Sequence, residues 1–178
     1  KILLTSSTLS SASIFKKFNL KKTIHQFFPI DSKFLTKKFL DYWKPSIAIF
    51  IESEIWPNMF IEIKKKSIPL VLLNARVTKK AFNRWVKIKK FSNYIFSKID
   101  VAYPQNFETL KYLKKFKVPK IKIIGNLKFS ENKNAKTTSL SKSFIKQINN
   151  KKVWCASSTH ADEELICAKV HSNLKKKI

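Results

Sequence analysis

Short apolar runs alternate with longer amphipathic stretches along this chain, and this alternation constrains the fold more than any other feature. The apolar runs have the length of buried strands, and between them apolar residues recur at helical spacing. Strands that alternate with helices are typical of a parallel sheet covered by helices. The sequence therefore predicts an α/β fold with a doubly wound parallel sheet.

The predicted elements follow one another with short connections. Strands are expected at residues 2–5, 24–28, 47–51, 70–73, 100–103, 121–124 and 153–156. Helices are expected up to Phe18, from Asp31 or Ser32 to Pro45, at residues 55–66, at 78–98 with a break near Lys89, at 107–116, at 140–150, and from about Asp162 onward.

The composition of the chain changes after Phe129. Residues 130–139 are polar and rich in Asn, Lys and Thr, which is typical of a linker. We therefore expect a first domain at residues 1–129, a linker and helix at 130–150, and the beginning of a second α/β domain at 151–178. The chain starts on Lys1 and an apolar run, which favours an internal fragment of a longer protein.

The charge is strongly basic, with a formal net charge of +26, and only Arg76 and Arg84 among 37 basic residues are arginine. This bias towards lysine is typical of AT-rich codon usage. The sequence contains no long basic block interleaved with aromatic residues, so we do not expect a nucleic-acid partner. The two cysteines, Cys155 and Cys167, lack ligand spacing, and we expect neither a metal site nor a disulfide.

Two carboxylates follow the apolar run at residues 47–51. Glu52 comes directly after the run and Glu54 two residues later. The carboxyl ends of strands border the ligand crevice in open α/β sheets, and a carboxylate there can act as a base, an acid or a stabiliser of positive charge. The alternative is that Ser53 or Glu54 caps the next helix. For Glu54 both interpretations stand, whereas Glu52 precedes the cap position.

Other candidate site residues also follow predicted strands. Gly125, the only glycine, indicates either a positive φ or a close approach to a ligand, and Lys128 follows it. Asn74 and Arg76 end the fourth predicted strand; the arginine offers a planar fork for phosphate or carboxylate, or is an accident of codon usage.

A hydroxyl-rich segment joins the last predicted strand to the last predicted helix. It contains Ser158, Thr159 and His160. Backbone N–H groups and hydroxyls at such a turn can bind a phosphate or carboxylate. Alternatively, Thr159 with Asp162 or His160 with Glu163 forms a capping box.

Four segments in this order resemble the 3-deoxy-D-manno-octulosonic acid (Kdo) transferases of Gram-negative bacteria, over nearly the whole chain. They are residues 52–58 (ESEIWPN), 74–76 (NAR), 125–129 (GNLKF) and 156–160 (ASSTH). The resemblance implies a GT-B glycosyltransferase with two Rossmann-like domains. The first domain would receive a lipid A precursor and the second would bind CMP-Kdo, and Kdo would be transferred with inversion. No metal ion or other cofactor is implied.

The resemblance also implies roles for individual residues. Glu52 and Lys128 correspond to a catalytic pair that assists the transition state. Residues on the acceptor side would be Glu54, Asn74 and Arg76, and residues on the donor side would be Ser158, Thr159 and His160.

The chain also departs from the family pattern. The general base, a glutamate, is expected upstream of residue 2 and most of the nucleotide site beyond residue 178, so we expect the isolated chain to be inactive. Leu9, Ser11, Ser130 and Ala161 replace the usual Pro, Gly, Asp and Gly.

The expected location is the cytoplasmic face of the inner membrane, where a lysine-rich surface meets anionic lipids and an anchor lies upstream. The alternatives are another nucleotide-sugar transferase of GT-B type and, less favoured, a basic nucleic-acid-binding module.

Overall fold

The computed structural model describes residues 1–18, 20–129 and 141–175. The chain divides into two compact units, Lys1–Glu131 and Asn132–Ile178. The predicted linker at residues 130–139, which includes Ser130, lies outside the described residues.

The first unit alternates strands and helices in the predicted order. Its strands are β1 (Ile2–Ser6), β2 (Thr23–Phe27), β3 (Ala48–Ile51), β4 (Leu70–Ala75) and β5 (Val101–Pro104). Its helices are α1 (Leu9–Phe18), α2 (Lys33–Trp43), α3 (Pro57–Lys65), α4 (Lys79–Lys87), α5 (Lys89–Phe96) and α6 (Phe107–Lys115), followed by a 3-10 turn at Leu127–Phe129. The predicted break in the long helical stretch falls at Ile88, between α4 and α5.

The described strands pair in parallel. β1 pairs with β2, and β4 lies between β3 and β5 in a three-stranded sheet. Because the strand pairs are parallel and helices lie between successive strands, the α/β, Rossmann-like class is confirmed. Ile51 stands opposite Leu73, so the carboxyl end of β3 lies beside the last residues of β4.

The core of the first unit lies on one face of the three-stranded sheet. Leu70, Leu72 and Ala102 contribute the sheet residues, each no more than 1% exposed. The helix side chains of the same core that are fully buried are Met59, Phe60, Ile63, Ile95, Phe96 and Leu113. Burial of a large apolar side chain contributes about 1.5–3 kcal/mol, so this core fixes the strand ends that carry the candidate site.

Asp31 fixes the start of α3 rather than the start of α2. The cap of α2 is Ser32, whose Oγ accepts a hydrogen bond from the Leu35 N–H (3.3 Å). The carboxylate of Asp31 instead accepts the N–H groups of Asn58 (3.1 Å) and Met59 (2.8 Å), in the first turn of α3.

The alternative interpretation, in which Ser53 or Glu54 caps α3, is therefore wrong. Trp56 is the N-cap residue and has no side-chain cap bond within the described part of the chain, while Pro57 opens the helix. The free N–H groups of a helix start can donate to any suitably placed carboxylate, and here Asp31 supplies the carboxylate from a distant part of the sequence.

The predicted strand at residues 121–124 is wrong beyond its first residue. Ile121 forms a single parallel bridge with Ala102, whose N–H donates to the carbonyl of Lys120 and whose carbonyl accepts from the N–H of Lys122. β5 ends at Pro104, which has no N–H to donate, so the ladder does not continue.

The second unit contains two helices among its described residues, α7 (Lys142–Ile148) and α8 (Glu163–Lys175). α7 lies within the predicted helix at 140–150, and α8 begins one residue after Asp162. The predicted strand at 153–156 is wrong: a strand needs a neighbour for its backbone groups, and the described residues of this unit offer none.

No helix in the described part of the chain is long and apolar enough to span a bilayer.

Candidate active site

The adjacent ends of β3 and β4 hold two residues in an uncommon backbone conformation. Glu52 and Asn74 both have left-handed backbones, with φ of 60° and 50°. The Glu52 N–H donates to the carbonyl of Leu73 (3.0 Å), and the Glu52 carbonyl accepts from the Arg76 N–H (3.2 Å). Non-glycine residues in this region carry strain of order 1–3 kcal/mol and cluster at functional sites. The apolar run before Glu52 predicted its location but not this conformation.

The side chain of Asn74 connects β4 to the segment that carries Lys128. Asn74 is only 3% exposed, and its Oδ1 accepts the N–H of Leu127 (3.2 Å). Asn126 Oδ1 accepts the N–H of Lys128 (3.0 Å). These contacts fix the backbone of Lys128 beside the end of β4.

Gly125 turns the chain into this segment. Its φ is +86°, a conformation that residues with a side chain rarely adopt, and apart from Gly125 and its two chain neighbours no described atom lies within 4 Å of the position that a Cβ would take. The positive φ predicted as one reason for this glycine is confirmed.

The two predicted catalytic residues lie side by side. Glu52 Oε1 and Lys128 Nζ are 3.6 Å apart, and their side chains are 35% and 67% exposed. A pair this exposed contributes only about 0–1 kcal/mol to stability. Its chemical value is that a negative and a positive charge stand together at the strand ends, where a reaction that separates charge can use both. The catalytic roles stay a prediction.

Glu54 lies on the exposed loop between β3 and α3. Its Oε2 accepts the indole N–H of Trp56 (2.6 Å), and the Trp56 ring packs against Phe28. The neighbouring Ser53 donates its hydroxyl to the carbonyl of Arg76 (2.8 Å). Glu54 is therefore oriented by the aromatic packing beneath it.

Arg76 follows β4 and is exposed. With Lys128 it lines a pocket of about 410 Å³ at the ends of β4 and β5. Lys79, in the first turn of α4, lines the same pocket and is not among the residues predicted from the sequence. A lysine beside a helix N-terminus, against the helix dipole, is the sequence signal that could have found it.

The second unit holds Ser158, Thr159 and His160 before α8. Ser158 has a left-handed backbone with φ of 58°. The capping alternative is confirmed in part, because Glu163 Oε2 accepts the His160 N–H (2.9 Å). Thr159 instead donates its hydroxyl to Glu164 (2.5 Å), and this hydrogen bond lowers the pKa of the Glu164 carboxyl.

Comparison with known sequences decides the family. The sequence model of the 3-deoxy-D-manno-octulosonic-acid transferase (kdotransferase) family matches residues 1–131. The chain belongs to this family. The matched segment contains the Glu52–Lys128 pair, Asn74 and Arg76, whereas Ser158, Thr159 and His160 lie beyond it.

Curated relatives carry the same name. A 3-deoxy-D-manno-octulosonic acid transferase of Rickettsia bellii is 35% identical over 178 residues, which cover all of this chain and 42% of the relative. The one of Rickettsia conorii is 36% identical over 176 residues, 98% of this chain and 38% of the relative. A probable mitochondrial 3-deoxy-D-manno-octulosonic acid transferase of Arabidopsis thaliana is 33% identical over 180 residues, 97% and 40% respectively. The chain thus spans about two fifths of the length of these Kdo transferases.

The structure brings together only some of the residues that the family resemblance assigns. Glu52 and Lys128 pair, Asn74 supports the Lys128 segment, and Arg76 shares a pocket with Lys128. Glu54 points its carboxylate to Trp56 instead of to the pair. Within the described ranges, no group of three His, Cys, Asp or Glu side chains is arranged to hold a metal ion.

Proposed function

We propose that this chain forms the acceptor-side domain and the beginning of the donor-side domain of a GT-B glycosyltransferase. The enzyme transfers Kdo from CMP-Kdo to a hydroxyl group of a lipid A precursor, with inversion at the anomeric carbon. Family membership supports the reaction class. The Glu52–Lys128 pair at the strand ends is the observation that carries the proposal.

The reaction separates charge, and the pair supplies charges of both signs. The acceptor oxygen forms a bond to the anomeric carbon while the bond from that carbon to the CMP phosphate oxygen breaks. The electron pair leaves with the phosphate, and the hydroxyl proton passes to a base. Positive charge develops on the sugar beside Glu52, and negative charge on the phosphate or the Kdo carboxylate is balanced by Lys128.

Glu54, Asn74 and Arg76 contribute to the acceptor side of the site. Asn74 acts through the backbone, because its buried side chain holds the Leu127 N–H and thereby positions Lys128. Arg76 presents its guanidinium at the pocket beside the pair, where it can bind an anionic group of a substrate. Glu54 forms part of the acceptor wall.

Ser158, Thr159 and His160 contribute to the donor side. The left-handed turn at Ser158 and the start of α8 place hydroxyl groups and backbone amides in one short segment, which suits recognition of the CMP-Kdo phosphate or carboxylate.

We place the general base on a residue outside this chain. Of the two carboxylates that follow β3, Glu52 is paired with Lys128 and Glu54 accepts the Trp56 indole N–H. We therefore assign the acceptor proton to neither of them, and residues 1–178 alone should not transfer Kdo. We assign no metal ion to the reaction, since Lys128 provides a cation for the departing phosphate.

We place the enzyme at the cytoplasmic face of the inner membrane. Its acceptor is a lipid, and a chain of net charge +26 is attracted to anionic headgroups, to which each basic residue near the surface contributes about 1 kcal/mol.

A chimera tests the proposal, with these 178 residues replacing the aligned segment of the Rickettsia bellii relative. The folded chimera should transfer Kdo from CMP-Kdo to a lipid A precursor, whereas the isolated chain should not; the unmodified relative is assayed in parallel as the control. A folded chimera that does not use CMP-Kdo as donor but uses another nucleotide sugar would contradict the donor assignment. It would favour the alternative function, a different nucleotide-sugar transferase of GT-B type.

A further inference from the structure

The pocket beside the Glu52–Lys128 pair is lined by more cationic than anionic side chains. It lies where β4 and β5 end and α4 and α6 begin, and its volume is about 410 Å³. Three cationic side chains, Arg76, Lys79 and Lys128, and one carboxylate, Glu108, line it. A pocket of this size accommodates a monosaccharide phosphate.

Two of the three cations form no ion pair with a described residue. Lys128 pairs with Glu52, and the Glu108 carboxylate accepts a hydrogen bond from the neutral Tyr112 hydroxyl (2.6 Å), so three cations face one carboxylate in the lining. Within the described part of the chain, neither the guanidinium of Arg76 nor the ammonium of Lys79 has an ion-pair or hydrogen-bond partner. Uncommitted cations that line one polar pocket favour an anionic ligand.

The backbone around the pocket is held by buried hydrogen bonds. Thr109, 1% exposed, accepts the N–H of Val77 on its hydroxyl (3.3 Å). The Gln105 N–H donates to the carbonyl of Ala75 (3.0 Å), which joins the ends of β4 and β5. Because these contacts tie the segment after β4 to α6 and the end of β5, the positions of the Arg76 and Lys79 backbones are set before any ligand binds.

We propose that this pocket binds a phosphate group of a substrate, held by Arg76 and Lys79 beside the Glu52–Lys128 pair. The inference rests on the proposed function for the identity of the substrate. A planar guanidinium can donate hydrogen bonds to two phosphate oxygens at once, and a lysine ammonium adds a point charge. Since Lys128 lines the pocket and also pairs with Glu52, a phosphate bound here fixes the attached sugar relative to the reacting centre.

The phosphate has two possible sources, the acceptor sugar and the CMP of the donor. Amide chemical shifts of the isotope-labelled 178-residue chain distinguish these two sources. The chain is titrated in turn with inorganic phosphate, glucosamine 1-phosphate and CMP. All three probes should shift amides of residues 77–79 and 106–109, and unphosphorylated glucosamine should not. Tighter binding of glucosamine 1-phosphate than of CMP assigns the pocket to the acceptor, and the reverse order assigns it to the donor.

Matched variants show whether phosphate binds specifically in this pocket or is attracted to the lysine-rich surface in general. Arg76→Gln and Lys79→Gln should each weaken phosphate binding about tenfold, the loss expected for one charged hydrogen-bonding partner. Arg84→Gln and Lys80→Gln remove the same charges from α4 outside the pocket lining, and they should leave the affinity unchanged. Equal losses in all four variants, or no shift at residues 77–79 and 106–109, would overturn the proposal.

This titration needs no turnover, so its outcome is independent of the transfer assay. A chimera that fails to transfer Kdo, together with localised phosphate binding, would overturn the proposed function and support the pocket. A chimera that transfers Kdo, together with absent phosphate binding, would support the proposed function and overturn the phosphate site.

Discussion

Glu52 and Asn74 stand next to each other where β3 and β4 end, and both have left-handed backbones. The conformation of Asn74 coincides with an irregular register between β4 and β5, at Leu72 to Ala75. The conformation of Glu52 follows the last residue of β3. Both residues lie at the strand ends where Glu52 pairs with Lys128.

The left-handed conformation of Glu52 predicts an inverted order of stability for two variants. At an ordinary position glycine is less stable than alanine by about 0.5–1 kcal/mol, whereas alanine in a left-handed conformation costs about 1–2 kcal/mol. Glu52→Gly should therefore be more stable than Glu52→Ala by about 0.5–1 kcal/mol, measured by urea unfolding of the purified chain. Both variants lack the carboxylate, so the comparison isolates the backbone. An alanine variant as stable as the glycine variant would contradict the strained conformation.

Asn74→Ala should loosen the Lys128 segment. The change removes the acceptor of the Leu127 N–H and places alanine at a φ of 50°, so we expect a loss of about 1–3 kcal/mol and faster hydrogen exchange at Leu127. Asn74→Gly loses the same hydrogen bond but tolerates the φ, and its loss should be smaller by about 1 kcal/mol. Unchanged exchange at Leu127 in both variants would show that Asn74 does not position the segment.

Asp31→Ala should destabilise the chain by about 2 kcal/mol, because it removes the acceptor of two backbone amides in the first turn of α3. Asp41→Ala is the control: Asp41 forms an exposed ion pair with Lys66 and should cost less than about 1 kcal/mol. Urea unfolding measures both. Equal losses of unfolding free energy in Asp31→Ala and Asp41→Ala would contradict the role of Asp31 in capping α3.

Asp100 should make stability depend on pH in acid. Partial burial raises the pKa of Asp100, but the hydrogen bonds from the Lys64 ammonium (2.7 Å) and the Leu70 N–H (2.7 Å) outweigh burial and leave the pKa below its usual value. Because the folded pKa is the lower one, the stabilisation is present at neutral pH and is lost as pH falls below about 3.9, towards the folded pKa.

Asp100→Asn should therefore lose less stability than the unmodified chain between about pH 5 and pH 3. The measurement is the urea midpoint at each pH. An equal decrease of the urea midpoint with pH in Asp100→Asn and in the unmodified chain would exclude Asp100 as a source of the acid sensitivity.

The sequence predicted the fold of the first unit well because its strands are apolar runs bounded by turns. The run at residues 47–51 located Glu52, and the length of residues 78–98 indicated a broken helix. These features depend on local periodicity, which a single sequence contains.

Features that depend on distant residues were not predictable. The cap of α3 comes from Asp31, 27 residues before Asn58, and no local pattern contains that pairing. The strand expected at 121–124 stopped at Ile121 because the partner strand ends on Pro104. In the candidate site, Glu52 and Lys128 were predicted as residues, but the contact of Asn74 with Leu127 that supports their pairing required the fold.

Turnover of the chimera carrying Glu52→Gln, Lys128→Gln or both, at saturating CMP-Kdo and lipid A precursor, tests most directly whether the two side chains act together in the transition state. If they do, each single change should lower kcat about 100-fold or more with little change in KM, and the double variant should be far less impaired than the product of the two losses. A kcat unchanged by either substitution would remove that residue from the active site and contradict a joint catalytic role.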